Sequence, residues 1–159
     1  MGYDEELKKA LHEKKIRKAL SDNVNIKYPR FIVHSLQWVS VGYSSALFFG
    51  GKKVGKEILA PELKSKDIKD VLKDVGSFFE SQGVGKFEIK EITDASITVR
   101  IKDSTTSYGM APVGKPVCFF EAGIIAGIVE GRLGKNVVVN EVLCGGLGDD
   151  VDEFLIKLK

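Results

Sequence analysis

The pattern of apolar and polar positions changes character half-way along the chain. Residues 4–22 carry a narrow, broken apolar stripe of Leu7, Ala10, Leu11, Ile16 and Leu20. Asp4, Glu5 and Glu6 stand at its start and Lys14, Lys15, Arg17 and Lys18 further on, which predicts a helix whose charges suit its dipole. So thin a stripe either packs weakly on its own domain or docks on a second subunit, and the second is the favoured expectation. Ser21-Asp22-Asn23 breaks the pattern, and Tyr28-Pro29-Arg30 reads as a loop. Phe31-Ile32-Val33 then reads as extended. A helix is expected from residues 41–45 through Ile58, although Gly50 and Gly51 each cost a helix about 1 kcal/mol relative to Ala. Residues 66–82 form a clearer helix, with Ile68, Val71, Leu72, Val75, Phe78 and Phe79 on one face and Gly83 as its cap.

Beyond residue 85 the period shortens to two. Residues 86–92 and 96–102 alternate apolar and polar side chains and predict a hairpin turning at Thr93-Asp94-Ala95. A polar loop over 103–108 leads to Pro116, which is expected to open a helix ending near Leu133-Gly134. Residues 136–144 and 151–158 predict a second hairpin, turning at the Gly-rich 145–150 segment. Helices, hairpin, helix, hairpin is the order of an α+β layer with antiparallel strands rather than of a parallel sheet.

Composition narrows the class. A chain of 159 residues with 43% apolar side chains is long enough to bury a core and too apolar for disorder. Its 24 basic and 22 acidic residues leave a net charge of +2, so no nucleic-acid footprint is expected. Two cysteines, Cys118 and Cys144, are too few for a disulfide scaffold and suggest a cytoplasmic protein. The N-terminus has no apolar signal core, and the longest apolar run, 117–129, is interrupted by Glu121 and too short to span a bilayer.

Several motifs dissolve on inspection. Residues 109–116 nearly spell a phosphate loop, but Pro116 replaces the magnesium-binding hydroxyl and Pro112 removes an amide. Gly145-Gly146-Leu147-Gly148 is followed by acidic, strand-like sequence, so a hairpin turn fits better than a dinucleotide loop. Neither His12 nor His34 stands in a nucleophilic arrangement, and no catalytic residue is assigned. Gly123 and Gly127 imply that something approaches their helix closely, either another element or an apolar ligand. The strongest constellation is Cys118, Glu141, Cys144 and Asp152. Cys118 at a helix start favours a thiolate, and two thiolates with two carboxylates can complete a tetrahedral zinc shell. Glu141 and Cys144 have opposite parity on a regular strand, so a bulge or strand end must re-aim one of them. Taken by themselves, the cysteines are better read as buried and unpaired.

Residues 116–123 (Pro-Val-Cys-Phe-Phe-Glu-Ala-Gly), Ala126-Gly127, Glu141-Val142-Leu143-Cys144, Gly148-Asp149-Asp150 and Glu153-Phe154 together resemble the 4-vinyl reductase domain family over about residues 112–158. The resemblance implies an α+β fold with a four-stranded antiparallel sheet of two hairpins and helices packed on it, an architecture shared with tethering subunits of the TRAPP type. It implies a domain, residues 26–159, that binds apolar or hydrocarbon small molecules; residues 1–25 lie outside the resemblance and are read from their own pattern as a helical extension forming a homodimer contact. A pocket is expected between the sheet and two helices, lined by Phe78, Phe79, Ile97, Phe120, Ile124 and Ile128. In phenol-sensing relatives zinc is held by Cys, Glu, Cys and Cys. The first three fall on Cys118, Glu141 and Cys144, and the fourth on Asp152, a departure that makes the site less soft. A structural zinc is the implied cofactor. The residues that grip phenol in those sensors have no counterparts here. The implied role is sensory or regulatory, passing a signal to a separate regulatory protein. A protein-interaction subunit is the alternative, and a vinyl-group reductase ranks third for want of a nucleotide site.

Overall fold

The computed structural model describes residues 27–159; the helix expected over residues 4–22, with its dimer contact, lies outside the described residues. Helix α1 spans Lys27–Val39 and α2 spans Val41–Lys53, followed without a break by a π-helical turn (Val54–Leu59) and a 3-10 turn (Ala60–Glu62). Helix α3 (Ile68–Ser81), strands β1 (Lys86–Ile92) and β2 (Ser96–Lys102), helix α4 (Phe119–Leu133) and strands β3 (Val137–Leu143) and β4 (Val151–Leu158) complete the chain. The strands form one antiparallel sheet in the order β1-β2-β4-β3, so the two hairpins meet at β2 and β4. The α+β expectation therefore holds.

Local chemistry accounts for the boundaries. Asp67 caps α3, its carboxylate accepting from the amides of Lys69 (3.0 Å) and Asp70 (3.2 Å), and Gly83 follows the helix at φ +68°. Helix α4 stops at Gly134, in the left-handed conformation at φ +66°. Two expectations are corrected. Residues 28–33 are neither loop nor extended but lie within α1, because Pro29 occupies the first helical turn, where its missing N–H costs nothing. Pro116 does not open α4: Cys118 is the N-cap, and the first helical residue is Phe119.

The core lies between the sheet and α3 and α4. Ile97, Val99 and Ile101 of β2 and Phe154 and Ile156 of β4 present a fully buried face to Val71, Leu72, Val75 and Phe79 of α3 and Ile125 and Val129 of α4. Helices α2 and α4 approach to backbone contact. A Cβ at Gly123 would lie 2.1 Å from the carbonyl oxygen of Phe48, and one at Gly127 would lie 2.2 Å from that of Lys52. Gly51 and Gly55 are equally tight against α4, 2.2 Å from the Phe120 oxygen and 2.5 Å from the Ile124 oxygen. Gly123 and Gly127 thus serve helix packing. Beside this contact Glu130 is buried and paired with Lys52 (2.8 Å), and it also accepts the Val137 amide (3.2 Å), joining α2, α4 and β3.

Candidate metal cluster and apolar groove

Three acidic side chains and two thiols meet where α4 begins over the end of β3 and the start of β4. The Cys118 amide donates to Glu141 Oε2 (2.9 Å), and the Cys118 thiol donates to Asp152 Oδ2 (3.2 Å). Asp152 lies on the core face of β4, opposite Ile101 of β2, and is fully buried; Ser107 donates to its other oxygen. The β3–β4 register shifts between Glu141 and Leu143, and this bulge is the irregularity that the parity of Glu141 and Cys144 demands. Glu121, on the first turn of α4, is buried and accepts from the Thr106 hydroxyl.

One donor atom from each of Cys118, Glu141 and Asp152 lies within 4.8 Å of the others. Glu141 Oε1 is buried with no hydrogen-bond partner among the described residues. A thiol and two carboxylates converging around an unsatisfied oxygen fit a divalent metal such as zinc. Cys144 stands outside this triad. It begins the turn after β3, where its amide donates to Asp149 Oδ2 (3.0 Å) and its thiol lies against Glu141.

The electrostatics correct the expectation of a helix-activated thiolate. Burial, followed by the charges of Glu121, Glu141 and Asp152, holds the Cys118 thiol well above its ordinary range. Burial and then Glu141 push Cys144 up to about 12. Burial raises Glu141 as well, and pushes Glu121 up to about 7 against the Thr106 hydrogen bond. Without a cation the cluster is proton-rich, because these two thiols and two carboxyls cannot all ionise in so dry a place.

Helix α1 covers this cluster through a polar face spaced at helical intervals. Arg30 donates to the carbonyls of Thr105 (2.5 Å) and Ser104 (3.0 Å), the His34 ring bonds to the Thr106 carbonyl (3.1 Å), and buried Gln37 donates to the Val117 carbonyl (3.0 Å). A cavity of about 120 Å³ remains between Pro29, Arg30, Val33, His34, Thr105 and Thr106. With its polar side turned inward, α1 leaves Phe31, Trp38 and Val39 exposed at 70%, 67% and 76%.

The six residues expected to line an apolar pocket do not gather around one opening. Phe79, Ile97, Ile124 and Ile128 are buried in the continuous core and Phe78 packs half-buried against it. Phe120 is 38% exposed, its ring near Gly50 of α2. A separate groove of about 470 Å³ runs between α2, the start of α4 and β3, lined by Ser44, Ser45, Phe48, Phe49, Lys115, Phe119 and Val139. The Gly-rich loop before it has a structural task. The amides of Val113 and Gly114 both donate to the Gly146 carbonyl (2.8 and 2.9 Å), so they are not free to cradle phosphate.

This helix-over-hairpin unit is the part of the chain that comparison with known families singles out. Residues 97–158 match the 4-vinyl reductase domain. The resemblance read over 112–158 therefore holds, and the matched segment starts earlier, at β2. Over most of its length the chain is also similar to two uncharacterized proteins of Methanocaldococcus jannaschii. MJ0150 is 27% identical over 98% of this chain and 96% of its own, and MJ1642 is 27% identical over 87% and 81%. Among solved structures, a vinyl-4-reductase family protein of M. jannaschii superposes with a TM-score of 0.67 at 23% identity, covering 100% of this chain and 96% of that one. The phenol-responsive sensory domain of the transcription activator PoxR gives 0.64 at 16% identity, covering 85% and 75%. A trafficking protein particle complex subunit 3 from Naegleria fowleri gives 0.63 at 18%, covering 87% and 97%. The matched segment thus sits within a fold common to all three.

The sequence reading misses Glu121, Thr106, Ser107, Arg30 and Gln37 as parts of the site. Glu121 alone carries a signal, as the charge that interrupts the apolar 117–129 run.

Proposed function

We propose that this protein is a small-molecule-binding domain of sensory or regulatory type that takes an apolar ligand in the groove between α2, α4 and β3. The observation that carries the reading is the groove itself. Its volume falls in the range of small-molecule sites, roughly 300–1,000 Å³, and Phe48, Phe49, Phe119 and Val139 give it apolar walls. The match to the 4-vinyl reductase domain supports it, as do the printed ligands of two fold relatives, phenol for the PoxR domain and covalently bound palmitic acid for the trafficking subunit. Cys118, Glu141 and Asp152 hold a structural zinc ion in this reading, with Cys144 close enough to Glu141 to join or back the site. The metal ties α4 to the second hairpin, and Phe119, the next residue after a ligand, lies in the groove wall.

Native mass spectrometry of the purified full chain tests both halves. One zinc per chain and an apolar adduct are expected. Ser45→Trp, at an exposed groove position, should remove the adduct and keep the zinc. An adduct retained in Ser45→Trp would refute the groove assignment, and a chain that takes up no zinc would refute the metal. A second reading, a subunit that works by protein association, is favoured by the exposed Phe31, Trp38 and Val39 of α1. In that case the chain forms a homodimer or larger assembly that Trp38→Glu dissociates, as read by light scattering.

A further inference from the structure

Among the described residues that line the groove, Lys115 alone is charged. It is half-buried, and no carboxylate or carbonyl pairs with its ammonium among the described residues. A cation among aromatic walls without a counter-ion lacks the compensation that partial desolvation requires, and a low-dielectric wall strengthens any ion pair made there. The backbone beside it is anchored. The Lys115 carbonyl packs on Gly146, where a Cβ would lie 2.5 Å away, and the two preceding amides are bonded to the Gly146 carbonyl. Those spent amides also limit the anion. A phosphate head would need further N–H or cationic partners, and the rest of the polar lining is the neutral hydroxyls of Ser44 and Ser45. A carboxylate is satisfied by one ammonium and a hydroxyl.

We propose that the groove selects an amphipathic monocarboxylate, its apolar body against Phe48, Phe49, Phe119 and Val139 and its carboxylate on Lys115. This rests on the reading of the groove as the ligand site and adds the class of ligand. Cationic amphiphiles are repelled by the same lysine.

Titration calorimetry of the full chain with decanoate, decanol and decyltrimethylammonium, each kept below micelle formation, tests it. Decanoate is expected to bind about 10-fold more tightly than decanol, a gap of one decade in Kd, and decyltrimethylammonium more weakly than either. Lys115→Met should bring decanoate down to the affinity that the same variant shows for decanol, while Lys115→Arg restores the gap. Equal binding of decanoate and decanol by the unmodified chain, or a gap that survives Lys115→Met, overturns the carboxylate preference and leaves the groove reading standing. Failure of both decanoate and decanol to bind overturns the groove reading, and the inference with it.

Discussion

Glu121 shows at the scale of one residue how burial decides chemistry. Its carboxyl is held near pH 7 by burial, with Asp152 and Glu141 adding to the effect and Thr106 opposing it. A carboxyl whose folded pKa exceeds its unfolded value binds more protons when folded. Its contribution to stability is complete below about pH 4.5 and is lost as pH rises through about 7. In metal-free protein, stability should therefore fall between pH 5 and pH 8. Relative to the unmodified chain, Glu121→Gln should gain about 1–3 kcal/mol across that window. Urea titrations at the two pH values measure this; parallel changes in both proteins would contradict it. The metal reading makes its own demand on single residues. Zinc should raise the melting temperature of the unmodified chain, and Cys118→Ser and Glu141→Gln should each abolish most of that rise, since each removes one of three converging donors. Differential scanning calorimetry with and without zinc decides it. The cysteines, Glu141 and Asp152 were legible as a group because strand ends and a tight turn bring them together. Thr106 and Ser107 of the 103–118 loop and Arg30 of α1 were not, since such residues become walls of a site only through contacts that no local pattern encodes.

Among the elements, the α2–α4 contact is where the sequence speaks twice. Gly50, Gly51, Gly123 and Gly127 look like helix defects, and three of them are surfaces. Replacing Gly123 or Gly51 by Ala gains helix propensity of about 1 kcal/mol. It also drives a methyl to 2.1–2.2 Å from a backbone oxygen of the facing helix, where nothing flexible can yield. Overpacking wins, and each variant should lose about 1–3 kcal/mol net. Gly50 meets only the edge of the Phe120 ring at 3.9 Å, so Gly50→Ala should be neutral or stabilising by about 0.5–1 kcal/mol. Thermal melts of these variants side by side separate packing from propensity. Helix α1 was misread for a related reason. Tyr28-Pro29-Arg30 has the composition of a loop, but Pro29 falls in the first turn, and the inward face is held by Arg30, His34 and Gln37 rather than by apolar side chains. Hydrophobic periodicity then points the wrong way, toward solvent.

For the whole molecule, β1 and β2 followed from period-two alternation, β3 and β4 from the apolar strands flanking a Gly-rich turn, and α3 from its single apolar face. Their arrangement as β1-β2-β4-β3 did not, because pairing between hairpins depends on contacts far apart in sequence. The same gap separates the pocket expected from Phe78, Phe79, Ile97, Phe120, Ile124 and Ile128 from the groove that exists. Apolar side chains of the sheet and two helices were read as lining, but four of the six pack into the core. The groove is built from α2 residues nearly a hundred positions away from β3. No helix among the described residues is long and apolar enough to cross a membrane. The central claim is that apolar ligands enter this groove, and methyl- and aromatic-resolved NMR during titration with decanol tests it most directly. The account predicts shifts concentrated at Phe48, Phe49, Phe119 and Val139. Shifts centred on Ile97, Ile124 and Ile128 instead, or none at saturating decanol, would contradict it.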